Sequence, residues 1–467
     1  MVSQDEYLST IADLDRELYQ YYKSVIVTDN ALTRQVVSFQ ANKEKSRYRW
    51  YKYKEAFSAD LIAYLLRKYH VPHGKLLDPF AGIGTTLFAG SRLGYDADGI
   101  ELLPIGQHVI LAHHYLLHHI TKEEVDILKK WRDEKPWEHC EQQKRFNILR
   151  ITKGAYPQDT EQKIGHYLAA AEHEPGEINF LLIFALLCVL ESVSYTRKDG
   201  QYLRWDVRSG RNAGKKPFNK GKIYSFGEAI TSKLHEIMTD IDHNSDHYNL
   251  FQEIPSYGDI QLFKGSCLTI LPTIAPMTYT AVMTSPPYCN RYDYTRTYAL
   301  EHALLGVTEQ GLVQLRQTML SCTVENRPKN LLGMNPQWEE AIKATERQTL
   351  LQTILAYLEE QREQKALNNA GISRMVKGYF YEMACTIAEC ARVLKNDGLL
   401  FMVNDNVRYA GASISVDLIL SNIAESLGLV VEQILVLPQG KGNSSQQMGG
   451  YGREPLRKCV YIWRKRL

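Results

Sequence analysis

Residues Thr284-Ser285-Pro286-Pro287-Tyr288 follow the short apolar run Thr280–Met283 and precede Cys289-Asn290. An apolar run, a small polar residue, two prolines and an aromatic describe a strand that ends in a rigid loop. Proline fixes φ and removes a backbone donor, so carbonyl oxygens there are free to accept hydrogen bonds from another molecule. A flat ring bearing an amino group suits such a loop: its NH2 meets acceptors and its face meets the Tyr288 phenol. That is a site for a nucleobase with an exocyclic amine. A bare Pro-Pro-Tyr also reads as a strand-terminating turn.

About two hundred residues upstream, Lys75–Gly90 (Lys-Leu-Leu-Asp-Pro-Phe-Ala-Gly-Ile-Gly-Thr-Thr-Leu-Phe-Ala-Gly) reads as a buried strand, a glycine-rich turn and a helix with a small-residue inner side. Gly82 and Gly84 allow close backbone approach to a ligand and positive φ. A second strand, Asp96–Ile100, runs into Glu101, placed to grip ribose hydroxyls. The turn lacks the Gly-Lys-Ser/Thr ending of a P-loop, which speaks against an ATPase, and the third glycine of the dinucleotide fingerprint.

Together, Asp-Pro-Phe-Ala-Gly-Ile-Gly-Thr and Thr-Ser-Pro-Pro-Tyr resemble the motifs of the amino-methyltransferases of DNA, the S-adenosylmethionine enzymes that methylate cytosine N4 or adenine N6. The resemblance covers about half the chain. It implies a cofactor site at Asp78, Pro79, Phe80, Ala81, Gly82, Gly84, Thr85, Thr86, Glu101 and Leu102, with Phe57 and Ser58 of the segment Tyr53-Lys-Glu-Ala-Phe57-Ser58 near the methionine carboxylate. Ser58 is equally an N-cap of the helix that follows. Ser266 stands where family members often carry the aspartate that faces the cofactor's adenine, and is a weaker acceptor. The catalytic loop is Ser285, Pro286, Pro287 and Tyr288, acting on a base flipped from the duplex. Ser rather than Asp or Asn at its head points to cytosine N4. Adenine N6, an RNA base methyltransferase and a non-catalytic nucleic-acid-binding protein stay open. The resemblance further implies double-stranded DNA as substrate, a cognate restriction endonuclease acting at the same site, and a prokaryotic cytoplasmic setting beside the nucleoid.

Seven strands are predicted: Lys75–Asp78, Asp96–Glu101, Ile260–Lys264, Thr280–Met283, Leu399–Asn404, Val430–Leu437 and Cys459–Trp463. Helices are predicted over Ser58–Lys68, Thr85–Leu93, Tyr379–Leu394 and Val416–Leu427. The alternation implies an α/β fold, a Rossmann-like, mostly parallel seven-stranded sheet closed by an antiparallel pair, with ligands beyond the strand carboxyl ends. The methyltransferase domain spans 30–104, 256–299 and 376–467. Helical insertions occupy 105–255, where the resemblance implies target recognition, and 300–375, where Trp338–Ala366 reads as a polar helix, either solvated or a partner surface.

Net charge is only +2, so nucleic-acid affinity must come from local patches. Lys43–Lys54 carries six basic residues against one acidic, and Arg197–Lys222 nine against two. Arg204, Arg208, Arg211, Lys215 and Lys216 of the second stretch are the preferred DNA contacts, with Lys441 and Arg453 of the amide-rich Lys441–Lys458 loop. Eight cysteines without a Cys-x-x-Cys pair fit reduced thiols in a cytoplasm. The histidines at 108, 113, 114, 118 and 119 crowd one helix without the companion ligands of a metal site. Met-Val-Ser-Gln-Asp-Glu at the start is unlike a secretory leader. The apolar run Phe180–Leu190 is too short to span a bilayer and reads as a buried helix.

Overall fold

The computed structural model describes residues 3–199, 202–211, 217–245, 257–438, 441–442 and 455–466. Its main sheet has eight strands: β1 (Ile26–Thr28), β2 (Lys75–Asp78), β3 (Asp96–Glu101), β4 (Ile260–Lys264), β5 (Tyr279–Thr284), β6 (Leu394–Asp405), β7 (Leu429–Val436) and β8 (Lys458–Lys465). Their order is β1-β7-β8-β6-β5-β2-β3-β4. Only β8 runs against the others, pairing antiparallel with both β7 and β6. All seven predicted strands are present. The eighth, β1, pairs in parallel with β7 and adds an outer edge.

Side-chain alternation builds two cores across this sheet. Leu77, Val282, Leu400, Met402, Tyr461 and Trp463 pack with the helices Gln4–Tyr22, Thr349–Glu363, Ile372–Val393 and Val416–Ser426. Their neighbours Leu76, Ala281, Met283, Phe401, Val403 and Ile462 pack with Ala59–Lys68 and Thr85–Arg92. Full burial of one such side chain is worth about 1.5–3 kcal/mol. The central strands therefore fix the backbone that carries both motifs.

A third core lies in the stretch between β3 and β4, where Trp131, Trp137, Tyr167, Leu182, Phe184 and Phe226 are buried together. The predicted apolar run is part of the helix Gly176–Val193, which is long and apolar enough by composition to cross a membrane. Here it buries Leu181, Leu182, Ala185, Leu186 and Leu190 within that core.

The Trp338–Ala366 expectation is corrected. Two helices replace the single one, Glu339–Arg347 and Thr349–Glu363, with Gln348 capping the second through the Leu351 amide. Leu350, Leu351, Ile354, Tyr357 and Leu358 form an apolar stripe buried in the main core. Glu359, Glu360 and Glu363 stay outside that stripe, whereas Gln361 is buried with it.

β2 and β5 are hydrogen-bonded neighbours, with Leu76 opposite Ala281 and Leu77 opposite Val282. From β2 the chain proceeds outward through β3 and β4. From β5 it proceeds the other way through β6. The topological switch point lies between β2 and β5, and both motifs leave the sheet from their adjacent carboxyl ends.

Candidate active site

Asp78, the last residue of β2, is 2% exposed, and its carboxylate joins the two motifs. Thr284, the last residue of β5, donates to one Asp78 oxygen at 2.7 Å. Thr86, in the first turn of the helix that follows the glycines, donates to the other at 2.7 Å. The Phe80 amide also donates to Asp78, at 3.0 Å. Burial pushes the Asp78 carboxyl up to about 6 despite these donors. Asp78 is thus the clamp that sets the glycine-rich turn against the Ser-Pro-Pro-Tyr loop.

The turn is held from its other side by Glu101. The Gly82 and Leu103 amides each donate to its carboxylate at 2.7 Å, and burial pushes that carboxyl up to about 8. Gly82 (φ +57°) and Gly84 (φ +83°) take the left-handed conformation that favours glycine. A Cβ on Gly106 would lie 2.4 Å from the Gly82 carbonyl oxygen, so the helix Pro104–His118 packs directly under the turn.

These elements line an open-mouthed cavity of about 790 Å³, counting the solvent space at its mouth. Of the predicted cofactor residues, Phe57, Asp78, Pro79, Phe80, Ala81, Gly82, Thr85, Glu101, Leu102 and Ser266 line it, and Ser285 and Pro287 line it from the second motif. Gly84, Thr86, Pro286 and Tyr288 are not among the residues that line it. Ser58 is fully buried and away from the cavity: it accepts from the Leu61 amide as N-cap of Ala59–Lys68 and donates to the Val36 carbonyl at 2.6 Å. Ser266 donates to the Thr318 carbonyl at 3.3 Å.

Three carboxylates (Glu55, Asp78, Glu101) and four aromatic rings (Tyr53, Phe57, Phe80, Tyr294) line the space, with no lysine or arginine among its described lining residues. The Thr85 hydroxyl is buried there without a hydrogen-bond partner. Such a lining suits a cationic nucleoside with ribose hydroxyls and repels a polyphosphate.

Sequence reasoning passed over several lining residues. Glu55 accepts from the hydroxyls of Tyr292 and Tyr298, and burial raises its carboxyl to about 7. Tyr53 stacks on Tyr298, with ring centroids 4.9 Å apart. Met319 and Leu320 reach the cavity from the second insertion, which no local motif announces. Tyr53 and Glu55, one residue either side of Lys54, sit inside the segment Tyr53–Ser58 already singled out, and that proximity was the available signal.

In the second motif, Ser285 donates to the Tyr288 hydroxyl at 3.1 Å. The Lys458 ammonium lies 5.5 Å from the Tyr288 ring centroid and 3.4 Å from Asp405. Burial lowers the Lys458 pKa, but the neighbouring Tyr288 and Asp405 outweigh it and hold the ammonium charged. The Ser285–Tyr288 loop is therefore braced by a fixed cation on the side of β8.

Of the expected DNA contacts, Lys215, Lys216 and Arg453 lie outside the described residues, and the side chain of Lys441 does too. Arg204 stacks over Phe218 at 4.1 Å. Arg208 forms a two-pronged pair with Asp206, at 2.7 and 2.9 Å. Arg211 stacks over Trp205 at 3.8 Å and donates to the carbonyls of Arg150 and Lys153. The Lys43–Lys54 run turns its aromatics inward: Trp50 is 1% exposed and, with Arg49, donates to Asp240. It serves as a strut between the sheet domain and the helical layer.

No protein-family model matches the chain. Among curated proteins it is 55% identical over 463 residues to the type II methyltransferase M.AvaI of Nostoc sp. (strain PCC 7120 / SAG 25.82 / UTEX 2576), covering 99% of this chain and 95% of that one. The M.AvaI methyltransferase of Anabaena variabilis matches to the same extent. Type II methyltransferase M.BsoBI of Geobacillus stearothermophilus is 40% identical over 464 residues, covering 95% of this chain and 90% of its own. The class I methyltransferase sheet and its paired motifs thus sit in a chain with full-length relatives of one kind. The chain belongs to the type II DNA methyltransferases of restriction-modification systems.

Proposed function

We propose that this chain transfers a methyl group from S-adenosyl-L-methionine to the exocyclic N4 of a cytosine flipped out of double-stranded DNA. The observation that carries this reading is the hydrogen bond from Thr284 to Asp78, which ties the cofactor turn to a base loop headed by Ser285. The cofactor supplies a sulfonium methyl that is already activated, so the protein needs no covalent bond to the base. Glu101 and Thr85 are placed to hold ribose hydroxyls, while Glu55 and Asp78 balance the cofactor's positive charge.

A cytosine amine is a poor nucleophile because its lone pair is delocalised into the ring. The hydroxyl hydrogen of Ser285 is committed to Tyr288, which leaves the Ser285 oxygen lone pairs to accept from the amine. The Pro286 carbonyl is the second acceptor. Two acceptors aimed at one NH2 pull its lone pair out of conjugation, so rate enhancement arises from positioning and fixed dipoles. Tyr288, braced by Lys458, stacks on the base. The insertion 105–255 is read as the source of target contacts, with Arg204, Arg208 and Arg211 shaping its basic stretch. A restriction endonuclease of the same recognition site is the companion, and the compartment is the prokaryotic cytoplasm.

Incubation with methyl-labelled S-adenosylmethionine and plasmid DNA, followed by digestion to nucleosides, tests this. Label in N4-methylcytosine supports it. Label in N6-methyladenine, or in RNA alone, overturns it.

A further inference from the structure

Outside the cavity, the second insertion and the helix Ile372–Val393 form an open groove of about 590 Å³, counting the solvent space at its mouth. Arg327, Lys329, Arg374 and Lys377 line it, with Glu382 as its only acidic lining residue among those described. Glu382 is 1% exposed and fully engaged: Lys329 donates to it at 2.9 Å and Ser321 donates through both its amide and its hydroxyl. Arg374 gives one donor to the Val324 carbonyl. Neither the Arg327 guanidinium nor the Lys377 ammonium pairs with a carboxylate among the described residues. Three positive charges remain uncompensated in one concavity.

The groove's position gives it a role. Its wall begins at Ser321, directly after Met319 and Leu320 of the cofactor cavity. The next residue, Cys322, donates to the carbonyl of Tyr292, four residues beyond the end of the base loop. On the helix side, Tyr379, adjacent to Gly378 of the groove floor, accepts from Asn404 near the carboxyl end of β6. A Cβ on Gly378 would lie 2.9 Å from the Ser321 hydroxyl, so the two walls are packed without slack. The groove wall is therefore continuous with the wall of the cofactor cavity and tied by Cys322 to the segment that follows the base loop, and its cations have no protein counter-ion among the described residues.

We infer that this groove holds a phosphodiester of the DNA strand carrying the target base, with Arg327 and Lys377 as its principal ligands. The inference rests on the DNA-methyltransferase reading above. A guanidinium presents paired donors to phosphate oxygens and a lysine adds a mobile charge, while Lys329 remains committed to Glu382. A phosphate seated here holds the strand beside Ser285 while the base leaves the stack.

The test compares the wild-type protein with the double variant Arg327→Ala/Lys377→Ala, using plasmid DNA and a duplex containing the recognition site. Binding is measured across a salt series, and cofactor affinity and melting temperature are recorded in parallel. The expected double variant melts and binds cofactor like the wild type and binds DNA at least about tenfold more weakly. Its plot of log affinity against log salt is shallower by about one, for the single phosphate no longer neutralised. Arg327→Lys/Lys377→Arg, which keeps both charges, retains the wild-type slope. An Ala double variant with unchanged DNA affinity and slope overturns the inference. If the wild type itself neither binds nor methylates DNA, the parent reading fails, and that outcome is visible before any variant is compared.

Discussion

Replacing Thr284 with valine removes one hydrogen bond and almost no volume. In the native site that bond, 2.7 Å long, reaches a carboxylate already shared by Thr86 and the Phe80 amide. A hydrogen bond to a charged group contributes about 1.5–3 kcal/mol. Expressed wholly in cofactor binding, that is a factor of about 10–100. The effect depends on pH in a direction the site dictates. Asp78 sits at about 6, above its ordinary 3.8, so folding stability tied to this group is full below the ordinary value and is lost as pH rises through 6. Without Thr284 the folded-state value climbs further and the loss deepens. The variant and wild type should therefore unfold alike at pH 5 and separate above pH 6, with about 1.5–3 kcal/mol between them at pH 8. Denaturant titrations at the two pH values read stability, and calorimetry reads cofactor affinity. Thr284→Ser should behave as wild type. A valine variant within about 0.5 kcal/mol of wild type at pH 8, with unchanged cofactor affinity, refutes the clamp.

Other consequences are separable. Tyr288→Ala should lose at least about a hundredfold in turnover with cofactor affinity retained, since the phenol belongs to the base loop and lies outside the cofactor cavity; equal loss of both would place it elsewhere. Affinity for the cationic cofactor should rise from pH 6 to 8.5, because Glu55, at about 7, must ionise to balance the sulfonium, and Glu101, at about 8, adds a further negative charge to the same cavity. Demethylated cofactor, lacking that charge, should show a flatter profile by isothermal titration, and identical profiles for the two would contradict the role given to the carboxylates. Gly106→Ala should weaken cofactor binding at least about tenfold without touching the ligand, by displacing the Gly82 carbonyl 2.4 Å away; unaltered binding would show the turn to be more pliant than its packing implies.

Much of the site was legible because its chemistry depends on local backbone. Proline, glycine and the strand-end polar residues announce a turn wherever they fall, and Asp78, Gly82, Glu101 and Ser285 were found for that reason. The seven longer strands showed as apolar runs bounded by turn residues. β1 did not, because three residues are too few for a period and its pairing with β7 bridges some four hundred positions. The stripe in Thr349–Glu363 was hidden by the Glu and Gln that share the helix. The Lys43–Lys54 run misled differently. Basic residues interleaved with aromatics describe a nucleic-acid surface or a buried strut equally well, and only the distant Asp240 decides. Likewise Met319, Leu320 and the Arg327–Lys377 groove depend on a fold-level return of the second insertion to the sheet edge.

Ser285 decides which amine the loop presents to the cofactor. Plasmid DNA treated with the protein and S-adenosylmethionine, digested and resolved by nucleoside mass spectrometry, should contain N4-methylcytosine. Ser285→Ala, assayed beside it, should form less than about a hundredth as much while binding cofactor equally well. N6-methyladenine as the product, or near-full activity in the alanine variant, would contradict it.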